Sequence, residues 1–175
     1  FDFIGISATT REYPDAVQML NYLKREHHPA TVAIGGPHPT ALPEECLRNG
    51  FDLVVTGEAD DDIEQLVLLH PEHPRIWYCE YVNELNHLPF PDRTLLSEQE
   101  TWQPFLYLGQ EKDIKIASIL LSRGCPYSCT FCGPHFKYRR RSASNIGAEL
   151  RLLYEQGYSG VIILDDLPFL NTEQV

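Results

Sequence analysis

The chain has 175 residues, 43% of them hydrophobic and 11% aromatic, which is ample for a packed core and excludes disorder over most of its length. Its net charge of -11 and pI near 5.0 argue against a general nucleic-acid binder, because phosphate binding needs a basic surface. No apolar run approaches the roughly 20 residues of a membrane span and no charged-then-apolar leader opens the chain, so it reads as cytoplasmic. Five cysteines without a secretion signal suit a reducing compartment. Phe1 already lies in a strand-like run without an initiator Met, and Val175 follows soon after another, so both ends read as cut.

Phe1 to Ser7 is a short apolar run ending in small polar residues, as expected of a buried strand feeding a loop. From Tyr13 to Glu26 the apolar residues Ala16, Val17, Leu20 and Leu23 recur at helical spacing behind Pro14 and Asp15, which suit a helix start. Thr31 to Ile34 reads as a second strand, broken by Gly35-Gly36-Pro37-His38-Pro39-Thr40, where paired glycines let backbone approach a ligand closely. A short helix over Pro43 to Asn49, a third strand over Phe51 to Thr56 and a helix over Asp60 to Leu69 with an acidic first turn complete this part. The alternation predicts an open α/β sheet of parallel strands over residues 1–70, and ligands of such sheets bind beyond the carboxyl ends of the strands. Those ends carry Ser7 to Thr10, Gly35 to Thr40, and Gly57-Glu58. Turning the chain is the plainer role for the glycines.

Residues 71–113 hold Pro71, Pro74, Pro89, Pro91 and Pro104 with little apolar periodicity, and read as a linker, an extended strap packed by Leu88, Phe90 and Trp102. A strand over Lys115 to Leu121 opens the last part, 114–175. From its end leaves Cys125-Pro126-Tyr127-Ser128-Cys129-Thr130-Phe131-Cys132, three thiols within eight residues. Thiolates are soft ligands for iron and zinc, and so short a loop can wrap three of them around one centre. Structural zinc closes with four protein ligands, so a local triplet points to a cluster with one iron left open. Zinc with His135 as fourth ligand is the plainer alternative. Cys46 and Cys79 read as bystanders. Lys137, Arg139, Arg140 and Arg141 read as a solvated charge run, with a nearby anionic group as the functional alternative. Ser142 or Ser144 can cap a helix to about Gln156 with Ile146, Leu150, Leu153 and Tyr154 on one face, ended by Gly157. Gly160 to Leu164 is the next strand, closing on Asp165-Asp166.

The Cys-x3-Cys-x2-Cys loop with an aromatic before its last cysteine resembles the radical S-adenosylmethionine superfamily. The resemblance implies that Cys125, Cys129 and Cys132 ligate a four-iron four-sulfur (4Fe-4S) cluster, whose free iron is chelated by S-adenosylmethionine. One electron from a flavodoxin- or ferredoxin-like donor then cleaves it to a 5'-deoxyadenosyl radical. Phe131 would lie against the adenine, and Asp165 or Asp166 would hold the ammonium. As a plainer role, Asp165 caps the next helix.

The stretches Ile-Gly-Ile-Ser, Ile-Gly-Gly-Pro-His-Pro-Thr-Ala-Leu-Pro-Glu-Glu and Asp-Leu-Val-Val-Thr-Gly-Glu resemble the cobalamin-binding domain that precedes the radical domain in one subgroup. Ser7, Gly35 and Gly36, with His38 and Gly57, would contact the nucleotide tail of cobalamin. The expected architecture is a Rossmann-like, incomplete cobalamin-binding sheet followed by the first βα units of a partial TIM-type barrel. The subgroup's usual Gly-Glu-Gly-Glu is Gly57-Glu58-Ala59-Asp60 here, and no Asp-x-His-x-x-Gly motif is present. The implied activity is methyl transfer, or a radical rearrangement or cyclisation, on an unknown organic substrate. Competing readings are an inactive corrinoid-binding module, a ferredoxin-like electron carrier and a zinc protein.

Overall fold

A computed structural model of the chain describes residues 1–95, 102–107, 110–132 and 137–168, with the backbone alone for 102–107 and 110–114. His135, Phe169 and the side chain of Trp102 lie outside the described residues. The chain divides into two compact units, Phe1–Val82 and Asn83–Val175.

The first unit is a four-stranded, all-parallel sheet of order β1-β2-β3-β4, with β1 Phe3–Ser7, β2 Thr31–Gly35, β3 Leu53–Thr56 and β4 Arg75–Tyr78. Parallel strands need long crossovers, supplied here by α1 (Tyr13–Arg25), by α2 (Pro37–Ala41) with α3 (Pro43–Asn49), and by α4 (Ile63–Leu68). Both faces of the sheet are covered, as parallel sheets require. One core joins Tyr13, Ala16 and Leu20 of α1 with Val32, Ile34, Cys46, Phe51 and Val54. The other packs Leu66 of α4 on Ala33 and Leu53. The sheet has one strand more than expected, because β4 lies inside the stretch 71–113 read as a linker. Its four residues Arg-Ile-Trp-Tyr are too few, and show no alternation by which to stand out, and pairing with β3 is what makes them a strand.

The second unit begins with two short 3-10 turns, Leu85–His87 and Arg93–Leu95. Next comes an antiparallel hairpin of β5 (Trp102–Tyr107) and β6 (Gln110–Ile119), also largely within the supposed linker. The two-residue strands β7 (Ser122–Arg123) and β8 (Arg139–Arg140) pair antiparallel. Helix α5 (Ala143–Glu155) starts at Ser142, whose hydroxyl accepts the Asn145 amide at 3.2 Å, and leads to β9 (Gly160–Ile163), parallel to β6. The βα unit predicted from Lys115 to Leu164 is therefore present, packed through Ala117, Ile119, Leu153 and Tyr158. The buried face of α5 keeps two of the four expected residues, Leu153 buried and Ile146 half-buried. Glu149 and Leu153 are buried, whereas Leu150 and Tyr154 are exposed. Among the described residues no helix is long and apolar enough to cross a membrane.

Candidate functional site

In the first unit the carboxyl ends of three strands converge. Ser7 pairs with Gly35 in register, the Ala8 amide donates to Gly35 O at 3.0 Å, and the His38 amide donates to Ala8 O at 3.1 Å. The third loop joins them through the Gly57 amide, which donates to Thr40 Oγ1 at 3.1 Å. Gly36 has φ 101°, and a Cβ there would stand 2.9 Å from Ser7 Oγ and 3.1 Å from Ala8 O. Gly57 has φ 80°, and its Cβ would stand 2.2 Å from Cys79 O. Chain-on-chain approach thus accounts for both of these glycines. Gly35 differs, since a Cβ there would make only ordinary contacts, with Val55 O at 3.7 Å. Packing does not require glycine at 35. An exposed Ser7 hydroxyl beside Gly35 and Gly36 fits close approach by a polar ligand such as a nucleotide tail.

His38 is tied to this edge by its amide, and its side chain is buried. It is 3% exposed and stacks on Tyr13 with ring centroids 3.8 Å apart, its Nδ1 3.3 Å from Thr10 Oγ1. Nε2 lies 3.9 Å from Glu45 Oε2 and has no hydrogen-bond partner among the described residues. The ring belongs to the packing between α1 and α2.

In the second unit the cysteine segment leaves just beyond β6. Its neck is the β7–β8 pair, Ser122 opposite Arg140 and Arg123 opposite Arg139. All three thiols are free, Cys125 half-buried and Cys129 and Cys132 exposed, with one tight turn from the Cys132 amide to Cys129 O at 3.0 Å. Phe131 is 90% exposed. Among the described residues no three His, Cys, Asp or Glu side chains are gathered closely enough to hold a metal ion. The donor set, three soft thiols on one short exposed segment, fits a three-thiolate centre in its chemistry.

Asp165 ties two strand ends together. Its Oδ1 accepts the Leu121 amide at 2.8 Å and its Oδ2 the Ser122 hydroxyl at 2.5 Å. That bridge joins two strand ends, and the helix that Asp165 was expected to cap falls outside the described residues. Asp166 is exposed beside it.

A buried ionic triad was not foreseen. Glu149, 2% exposed, accepts Arg93 Nη2 at 3.0 Å and Arg141 Nη1 at 2.6 Å. Arg141 Nε also donates to Asn145 Oδ1, its guanidinium lies 5.4 Å from the centre of the Phe90 ring, and its Nη2 is buried without a hydrogen-bond partner among the described residues. Arg141 is thus no solvated member of the basic run. The strap that carries Phe90 is held to the start of α5, since Asn86 Oδ1 accepts the Ser142 amide and Asn86 O accepts Asn145 Nδ2. The only sequence signal was a glutamate on the Ile146–Leu153 side of the helix, and its partner Arg93 is remote in sequence.

Residues 1–67 match the family model of the B12 binding domain. The N-terminal parallel α/β sheet is thus of the B12-binding kind, and relatives that match over most of the chain are named as methyltransferases, a methylase and a cyclase. The chain is 26% identical, over 99% of its length, to an uncharacterized methyltransferase of Pyrococcus horikoshii, covering 41% of that protein. It is 23% identical over 94% of its length to the anaerobic magnesium-protoporphyrin IX monomethyl ester cyclase of Rubrivivax gelatinosus, and 26% identical over 91% to the hopanoid C-3 methylase of Methylococcus capsulatus, covering 33% of each. The chain therefore spans about two-fifths or less of these relatives.

Proposed function

We propose that this chain is the cofactor-carrying part of a cytoplasmic radical S-adenosylmethionine enzyme that uses cobalamin, with methyl transfer to an unreactive carbon of an organic substrate as its reaction. The observation that carries the reading is the order of two sites. An open strand edge at Ser7, Gly35 and Gly36 in a B12-binding domain is followed by three free thiols on the segment leaving β6. When bound, a 4Fe-4S cluster supplies the electron that cleaves S-adenosylmethionine, and cobalamin supplies a carrier for the methyl group. Cys125, Cys129 and Cys132 would hold the cluster as thiolates and leave one iron open, which a structural zinc site would not do. Phe131 offers an exposed ring to the adenine, and Asp166 an exposed carboxylate to the ammonium. Asp165 keeps the end of β6 in place. Ser7 and the backbone at Gly35 and Gly36 would bind the nucleotide tail. The electron comes from an external donor of flavodoxin or ferredoxin type. A rearrangement or cyclisation is the second reading, favoured by the likeness to the Rubrivivax cyclase.

Anaerobic reconstitution with iron and sulfide tests this, read by absorption and by the spin signal of the reduced protein, with and without S-adenosylmethionine and hydroxocobalamin. About four irons per chain and a spin signal shifted by S-adenosylmethionine are expected. Cobalamin retained without iron would leave a corrinoid-binding module. Zinc taken up in place of iron would make the thiols a structural site.

A further inference from the structure

The geometry points to a positioning role for the buried triad Arg93, Glu149 and Arg141: it fixes both ends of the cysteine segment. This rests on the cluster reading above for its purpose, and on hydrogen bonds for its substance.

Strand β6 has β5 on one edge only as far as Lys115, and β9 on the other edge up to Ile119, where Ile119 O also accepts the Leu164 amide. Among the described residues no strand faces the carbonyls of the first edge past Lys115. Arg93 Nη2 donates to Ser118 O at 2.7 Å, and Arg141 Nη1 donates to Leu120 O at 2.8 Å. The same two guanidinium groups converge on Glu149. One carboxylate therefore aligns two forks, each holding a carbonyl of the strand end from which the cysteines depart. Arg141 also directly follows β8, where the chain returns, and its amide donates to Leu121 O at 2.9 Å. Departure and return of the segment are thus referred to one buried carboxylate. Two cations and one anion are costly to bury and are not required for helix packing, where an apolar side chain would serve. What the charges add over an apolar contact is direction, since a planar guanidinium bonds carbonyl and carboxylate in fixed geometry.

The test uses Glu149→Gln and Arg93→Lys in the intact protein carrying this chain, at a temperature where circular dichroism shows both variants folded. Hydrogen exchange is followed at the neck amides Leu121 to Arg123 and Arg139 to Arg141. After iron loading, the line shape of the reduced spin signal is recorded. Glu149→Gln should speed neck exchange by about tenfold through local opening, leave the sheet of the first unit unchanged, and broaden the spin signal at equal iron content. Arg93→Lys should lie between it and the parent, and decides the matter alone if Glu149→Gln does not fold. A lowered melting temperature with neck exchange and line shape unchanged would overturn the proposal and make the triad purely stabilising. A parent protein that takes up no iron would remove the cluster reading, while neck exchange still decides whether the triad holds the segment.

Discussion

A methyl group added at Gly57 would stand 2.2 Å from the Cys79 carbonyl oxygen, on a backbone already at φ 80° where L side chains are strained. Backbone cannot yield as the end of a side chain can, so Gly57→Ala should cost the first unit at least about 2 kcal/mol. At Gly147, inside α5, an added Cβ meets nothing within 4 Å. There the same change should stabilise the second unit by about 0.5–1 kcal/mol through helix propensity. Urea titration of the two variants checks the opposite signs, and equal effects would contradict the packing described. At this scale the sequence showed which residues were glycine or cysteine but not why. Gly36 and Gly57 looked alike as ligand-facing residues, whereas the atoms that demand them, Ser7 Oγ at the end of β1 and Cys79 O just past β4, are brought alongside only by folding.

Among the elements, α5 and α1 carry the most sharply testable side chains. Glu149→Leu would leave Arg93 and Arg141, whose side chains are 9% and 12% exposed, without their anion. Breaking a buried pair in this way costs about 3–5 kcal/mol. Replacing all three residues by apolar ones should cost less than Glu149→Leu alone, as a double- and triple-mutant cycle in denaturant would show. In α1, burial pushes the Tyr13 phenol up to about 12 from 10.0, against a lowering by the Asn49 amide that donates to it. In the unfolded chain the phenol ionises first. The stability it lends is therefore whole below pH 10 and is lost as pH rises towards 12. Burial likewise pushes the Cys79 thiol from 9.0 to about 12, with Asp62 adding to the rise, so the loss begins nearer pH 9. Urea midpoints from about pH 8 to about pH 11 should fall more steeply in the parent than in Tyr13→Phe. The helix spacing of α1 was legible because Ala16 and Leu20 face the core directly, while in α5 Leu153 was legible but the burial of Glu149 was not, because Glu149 is neutralised by residues outside its own helix. Likewise β4 and the β5–β6 hairpin owe their strand state to neighbours, not to local pattern.

For the molecule as a whole, the two units have separate cores and, in the proposed reading, separate cofactors. Cys129→Ala should abolish iron loading and leave hydroxocobalamin binding intact; Ser7→Val, at an exposed position with no core to disturb, should do the reverse. Joint loss in either variant, read by iron content and corrinoid absorbance, would indicate misfolding instead. The B12-binding stretch was legible because its motifs are local, whereas β4 was not, because it and the strap look alike as proline-punctuated coil. The spatial order β1-β2-β3-β4 also repeats the order of synthesis. A sheet built this way never waits for a distant partner, since each strand as it emerges docks on the one made just before, and domains tend to fold from the N-terminus as they are translated. The B12-binding sheet can thus form on the ribosome while Cys125, Cys129 and Cys132 are still unmade, so its folding does not depend on whether the cysteine segment is loaded.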